Sequence, residues 1–194
     1  PHHSFRPLWR PPWISKLLPE DRCHLNGLAL RDGKLRYITA VSRSDVTDGW
    51  RDKRSSGGVV ADVTTNEVVC EGLSMPHSPR WHRGSLYLIE SGSGYFGRVD
   101  LETGRFERLV FCPGYARGLA FLGDWALLGL SDRRENRTFQ DLELEENLRA
   151  HDAETRAGIL VVDVFGGRQR GRLRGGRHRP GSGPAPGRQS PAQR

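Results

Sequence analysis

Short apolar runs joined by tight turns recur along most of this chain. Residues 25–30 and 35–41 flank a turn that contains Asp32 and Gly33, and two apolar runs around such a turn are typical of a β-hairpin. The same pattern joins residues 58–63 to 67–70, 86–90 to 96–101, and 118–122 to 126–130, with further runs at 105–111 and 159–165. The sequence therefore predicts short antiparallel strands, with little helix between residues 23 and 130. An acidic stretch at residues 140–150 is open to two interpretations, a short helix or an excursion over the surface.

The strand and turn pattern also repeats loosely along the chain. Residues 26–30 resemble residues 117–121, and both are followed by a turn that contains Gly and Asp. The run V-D-L-E-T-G-R-F at residues 99–106 has weaker counterparts at 61–68 and 162–167. Such repeats are typical of propeller blades, at roughly 40 residues for each blade. We therefore predict an all-β fold of antiparallel, propeller-like blades. Because a closed propeller needs more blades than this length provides, an incomplete propeller is expected.

The composition changes at both ends of the predicted sheet region, residues 23–165. Residues 1–22 hold five prolines together with Trp9 and Trp13, which predicts an irregular segment packed by its aromatic side chains. Residues 166–194 carry eight arginines and no acidic residue, and so few apolar side chains that burial cannot offset the entropy of ordering. We predict that this tail is disordered. Gly, Arg, Pro and Ala all have GC-rich codons, so an out-of-frame end is the favoured interpretation.

The distribution of charge argues against a nucleic-acid-binding domain. Removing the eight tail arginines from the net charge of +7 leaves −1 for residues 1–165. The tail is thus the only region expected to contact nucleic acid, and it lacks the interleaved aromatics and regular RGG spacing that would favour such binding.

Cysteine usage and hydropathy bear on the compartment. The three cysteines, Cys23, Cys70 and Cys112, are far apart and form no C-x-x-C motif, which favours buried thiols in a reducing, cytoplasmic environment. The longest apolar runs are about five to eight residues, too short to span a membrane. We therefore expect no membrane partner.

Four stretches of the sequence are long and distinctive: residues 5–12, 20–29, 72–81 and 111–119. They resemble an uncharacterised bacterial family of conserved hypothetical proteins, a propeller-like domain of unknown function. The resemblance extends over about residues 3–165. Members of that family have further sequence before the first stretch and a more apolar ending after residues 162–164. The resemblance therefore implies a fragment with an altered C-terminus, and it implies no established activity.

Polar side chains in these stretches form the candidate site. On a strand at residues 23–30 the side chains alternate, so that His24 and Asn26 share one face. If this strand is the innermost of its blade, other polar residues of the repeats face the same channel. The predicted ligand-binding residues are therefore His24, Asn26, His77, Arg80 and Arg117. Two imidazoles and two guanidinium groups would favour an anionic ligand.

A purely structural role for these residues is the alternative. Buried polar side chains often serve only to satisfy backbone groups. Arg117 could pair with a carboxylate such as Glu90 or Asp45, and Arg80 could stack on Trp81. In that case the five side chains would lie in separate places.

Two functional classes remain open from the sequence. The first is a binding or scaffold domain for a small polar or anionic ligand or a partner. The alternative is a metal-dependent propeller hydrolase or lactonase, with His24, His77 and either Glu90 or Asp45 as metal ligands. The sequence contains neither H-E-x-x-H nor G-x-S-x-G, and no complete catalytic set can be assigned. Enzymatic activity and the cofactor are therefore left open, and no metal site is predicted.

Overall fold

The computed structural model describes residues 7–132 and 141–165, together with the backbone of residues 172–174. These residues form three antiparallel four-stranded sheets, each with its strands in chain order. Sheet 1 contains β1 (Leu25–Arg31), β2 (Lys34–Ala40), β3 (Gly58–Asp62) and β4 (Glu67–Leu73). Sheet 2 contains β5 (Pro76–His82), β6 (Ser85–Glu90), β7 (Tyr95–Asp100) and β8 (Arg105–Phe111). Sheet 3 contains β9 (Tyr115–Leu122), β10 (Trp125–Ser131), β11 (Gly158–Asp163) and β12 (Arg172–Arg174).

The prediction of an all-β, antiparallel fold is confirmed. Between residues 23 and 130 the only helical element is a 3-10 turn at Arg51–Lys53. The acidic stretch contains a short helix, α1 (Glu143–Ala150), so the first of its two interpretations is correct. None of the helices in the described residues is long and apolar enough to cross a membrane.

The turns explain why the sequence repeats are recognisable. Asp32 and Gly33 both have positive φ angles, 53° and 74°, as a two-residue hairpin turn requires. In the β7–β8 turn the Asp100 carboxylate accepts hydrogen bonds from the Glu102 amide (2.9 Å) and the Thr103 hydroxyl (2.7 Å). Asp62 accepts equivalent bonds from Thr64 in the β3–β4 turn. The repeated Asp and Thr residues therefore close the β3–β4 and β7–β8 hairpins through their side chains.

The three sheets stack face to face around two apolar cores. The core between sheets 1 and 2 includes Tyr37, Val60 and Leu88, and the core between sheets 2 and 3 includes Phe96 and Leu128. The first strand of each sheet lies beside the first strand of the next, because β1 contacts β5 and β5 contacts β9. The sheets therefore bring the starts of β1, β5 and β9 together.

The segments at the two ends differ from the sheets. Residues 7–22 contain neither helix nor strand, and Trp13 and Ile14 pack against Cys23, Ala40 and Val59 at the outer face of sheet 1. Strand β12 lies within the stretch expected to be disordered, and the rest of residues 166–194 lies outside the described residues. The division of the chain at residues 22 and 165 stays a prediction.

Helix α1 covers one end of the sheets. Leu144 is buried with Trp50, Met75 and Tyr115, and its backbone amide donates to the Gly92 carbonyl at 2.8 Å. The helix is thus tied to the β6–β7 turn as well as to the apolar residues beneath it.

Candidate functional site

Each of the first strands β1, β5 and β9 is interrupted by a β-bulge in its first half. The pairing of β1 with β2 skips Asn26, that of β5 with β6 shifts between His77 and Arg80, and that of β9 with β10 leaves Gly118 without a facing partner. Bulges redirect side chains and end regular pairing. Asn26 lies at the first of these bulges, and His77 and Arg117 directly precede the other two.

Asn26 and His77 contact each other across sheets 1 and 2. Asn26 Nδ2 lies 3.4 Å from His77 Nε2, and Asn26 Oδ1 accepts a hydrogen bond from Thr39 Oγ1 at 2.8 Å. Because the Thr39 hydroxyl donates to the amide oxygen of Asn26, it is the NH₂ group of Asn26 that faces the His77 imidazole. Nε2 of His77 is then the acceptor, and the neutral ring carries its proton on Nδ1.

His77 is the most deeply buried of the five predicted site residues, with 8% of its surface exposed. Burial, with smaller electrostatic contributions from Arg117 and then His24, lowers the pKa of its imidazole from 6.5 to about 4. The ring is therefore neutral near pH 7. The fixed positive charge of the site comes from the arginines.

His24 lies beside this pair but has its own partners. Its Nδ1 is 2.7 Å from the Asp21 carboxylate, and its ring stacks on Trp50 at a centroid distance of 4.2 Å. His24 has φ of 50°, a conformation that turns the chain just before β1. The structure therefore brings Asn26 and His77 into contact, with His24 and Arg117 near enough to act electrostatically on His77.

Arg80 lies farther along β5, beyond the bulge, and is exposed. Its Nη1 donates to the carbonyl oxygens of Pro79 at 2.8 Å and Leu28 at 3.4 Å. The cation over the Trp81 ring in the described residues is Arg31, at 4.3 Å from the ring centroid. Arg80 instead lines a cavity of about 570 Å³ that also contacts Asn26, Gly27, Leu28, Leu30, Ser78 and Trp81.

Ser78 belongs to the site although the sequence did not single it out as a ligand-binding residue. Its Oγ accepts a hydrogen bond from the backbone amide of Gly118 at 2.9 Å, which joins sheets 2 and 3. The residue has φ of 55° and lines the same cavity as Asn26 and Arg80. The signal in the sequence is its place directly after His77 in the distinctive stretch at residues 72–81.

The carboxylates considered as metal ligands are engaged elsewhere. Glu90 accepts hydrogen bonds from the Ser74 amide at 2.9 Å and from Arg108 at 3.1 Å. Asp45 accepts from Arg22 at 2.8 Å and from the Ser15 amide at 3.0 Å. Within residues 7–132 and 141–165, no group of three or more His, Cys, Asp or Glu side chains is placed to hold a metal ion.

The three cysteines do not supply a reactive group. All three are free and buried. Burial raises the pKa of the Cys70 and Cys112 thiols to about 12, so both are protonated and poor nucleophiles near neutral pH.

Comparisons with known proteins identify a family but no activity. A family model described as a domain of unknown function (DUF4915) matches residues 1–175. The chain is similar to the solved structure of the computationally designed Ika4 protein, with 14% identity over 83% of this chain and 78% of Ika4, at a TM-score of 0.47. It is also similar to the designed Ika8 protein, with 16% identity over 76% of this chain and 36% of Ika8, at a TM-score of 0.44. A search of curated proteins found no match.

Proposed function

The chain belongs to the family described as a domain of unknown function (DUF4915), and we propose that it is a propeller-like binding domain for a small anionic ligand. In this proposal the three sheets are blades, and β1, β5 and β9 are the strands nearest the axis. The chain order of the strands within each sheet and the contacts between successive first strands support this arrangement.

The observation that carries the proposal is the convergence of polar side chains from three sheets. Asn26 from sheet 1 contacts His77 from sheet 2, and Arg117 from sheet 3 shifts the pKa of His77. Such convergence at one end of adjacent inner strands is the arrangement expected of a ligand site. The ligand would contact Arg117 and Arg80 as cations, with His24, Asn26 and His77 as hydrogen-bonding groups.

An anion is the ligand class that these groups favour. Guanidinium groups stay protonated and offer paired N–H donors to carboxylate or phosphate. His77 is neutral and therefore adds a directional donor rather than a charge. We find no observation that favours the hydrolase alternative.

Titration calorimetry with inorganic phosphate and with citrate tests this function. The Arg117→Ala variant should bind about tenfold or more weakly, because a charge-assisted hydrogen bond contributes on the order of 1.5–3 kcal/mol. Its melting temperature should be nearly that of the unmodified chain. Arg83→Ala is the matched control, since Arg83 is an exposed arginine that pairs with Asp124 in the turns after β5 and β9, at the far end of these strands from His77 and Arg117.

Three results decide the outcome. Weaker anion binding by Arg117→Ala together with unchanged binding by Arg83→Ala supports the site. No binding of either anion by the unmodified chain overturns the proposed function. A large fall in melting temperature with unchanged anion affinity would show that Arg117 is structural.

A further inference from the structure

One side of the cavity beside Arg80 is apolar, and a site for a purely polar anion does not require an apolar side. The cavity lining divides into a polar end, formed by Asn26, Ser78 and Arg80, and an apolar side, formed by Leu28, Leu30 and Trp81. The volume of about 570 Å³ exceeds what an inorganic anion needs and falls in the range of small-molecule sites.

The apolar side is open to solvent in this structure. Leu28 and Leu30 are each 52% exposed, although they flank Ala29, which is buried in the core between sheets 1 and 2. Alternation along β1 therefore directs both leucines away from that core. Two exposed leucines beside a recess offer apolar surface that a ligand can bury.

The polar end has a defined geometry for an anion. Nη1 of Arg80 is occupied by the carbonyl oxygens of Pro79 and Leu28, and among the described residues no carboxylate forms an ion pair with Arg80. The Nε and Nη2 atoms form the other edge of the guanidinium, and two parallel N–H groups on one edge match the two oxygens of a carboxylate. Ser78 uses its oxygen as an acceptor for the Gly118 amide, which leaves its hydroxyl proton to donate.

We propose that this cavity binds a small amphiphilic carboxylate, with its head group on Arg80 and Ser78 and its alkyl or aryl body against Leu28, Leu30 and Trp81. The inference rests on the proposed function and adds the class of ligand. A purely polar anion would leave the leucine side unused. An uncharged apolar ligand would leave the Arg80 edge without an acceptor.

A homologous series of straight-chain carboxylates, from butanoate to decanoate, tests the proposal by titration calorimetry at pH 7 and constant ionic strength. Affinity should rise with chain length, by up to about fourfold for each methylene that is buried. Arg80→Gln should weaken the whole series by about tenfold while keeping the dependence on length. Leu30→Asn should remove much of the dependence on length while keeping the affinity for butanoate.

Matched controls separate this inference from the anion site itself. Leu101→Asn changes an exposed leucine in the β7–β8 turn, 38% exposed, and should leave the series unchanged. Alkanols of equal length should bind far more weakly than the carboxylates.

If phosphate and all the carboxylates bind equally, the amphiphile inference is wrong and the anion function stands. If no anion binds, both are wrong. A length dependence that survives in Leu30→Asn would also overturn the assigned location.

Discussion

Asn26 Nδ2 lies 3.4 Å from His77 Nε2, although the two residues are 51 positions apart and belong to different sheets. Thr39 fixes the amide from the other side by donating to Asn26 Oδ1. The contact holds a neutral imidazole at the junction of sheets 1 and 2. Protonation of His77 would replace the acceptor that faces the Asn26 NH₂ group with a second donor, so the contact depends on pH.

The first prediction concerns the stability of the chain at acidic pH. Because the folded pKa of His77 is about 4 and its ordinary value is 6.5, the unfolded chain binds the extra proton between these values. The stabilisation from neutral His77 is complete above about pH 6.5 and is lost as the pH falls toward 4, with a total of about 3 kcal/mol. Urea unfolding of the unmodified chain and of His77→Gln should show stabilities that converge over this range. Curves that stay parallel from pH 7 to 4 would contradict the shift.

The second prediction concerns the ion pairs of Arg108, which tie helix α1 to sheet 2. Arg108 forms two hydrogen bonds of 2.7 Å to Glu143 and one of 3.1 Å to Glu90, which is only 4% exposed. Arg108→Ala leaves the Glu90 carboxylate buried without its cation and should cost about 2–4 kcal/mol of unfolding free energy.

Arg98→Ala is the matched control for the ion pairs of Arg108. Arg98 pairs with Glu107 at the surface, and loss of an exposed pair costs about 0–1 kcal/mol. Hydrogen exchange at Glu143–Ala150 should become faster in Arg108→Ala and stay unchanged in Arg98→Ala. Equal effects of the two substitutions would show that the buried carboxylate gains nothing from Arg108.

The hairpins were predictable because their signals are local. The turn at Asp32 and Gly33 and the Asp100 turn specify their own geometry, so alternation and turn chemistry indicated most strands of the sheets. Strand β5 gave a weaker signal, since Pro76 and Pro79 interrupt its pattern and polar residues fill its length. A proline in a strand is tolerated at its first position or at a bulge, which are the places that β5 uses.

The placement of the candidate site residues could be predicted only in part. Asn26 and Arg117 align in the loose repeat, and the structure places Asn26, His77 and Arg117 on the neighbouring first strands β1, β5 and β9. Arg80 does not join them directly, because the bulge at Ser78 and Pro79 separates it from His77. The role of Ser78 depends on the amide of Gly118, which is 40 residues away. The ion pair of Arg108 likewise depends on Glu143, which is 35 residues away. A local sequence pattern does not predict contacts between residues so far apart in the chain.

The third prediction concerns the close approach of β1 to β5 at Gly27. A Cβ atom at Gly27 would lie 2.5 Å from Pro79 Cδ and 2.6 Å from Thr39 Oγ1. Gly27→Ala should therefore cost about 1–3 kcal/mol through forced repacking, and it should displace Thr39 from Asn26. Nitrogen-15 chemical shifts of the His77 ring should change as a result.

Gly84→Ala provides the comparison for Gly27. Gly84, in the β5–β6 turn, has φ of 79°, and a Cβ atom there would meet nothing within 4 Å, so its cost is backbone strain of about 1–2 kcal/mol. The His77 ring signals should stay close to those of the unmodified chain. A His77 ring unaffected by Gly27→Ala would show that the Asn26 contact does not depend on this junction.

The last prediction concerns the outer face of sheet 3. Leu122, Trp125 and Ile159 are 72%, 41% and 52% exposed, whereas the alternating residues Ala126 and Leu160 are buried against sheet 2. Leu122 and Trp125 are cross-strand partners, so these two exposed side chains adjoin, whereas Ile159 pairs with Gly129 farther along β10. Because contiguous apolar surface favours association, sedimentation velocity should show larger species as the protein concentration rises.

Trp125→Lys should shift the distribution toward monomer, and Leu101→Lys, which alters an exposed leucine in the β7–β8 turn, should not. A chain that stays monomeric at every concentration would show that this face is too small to drive association.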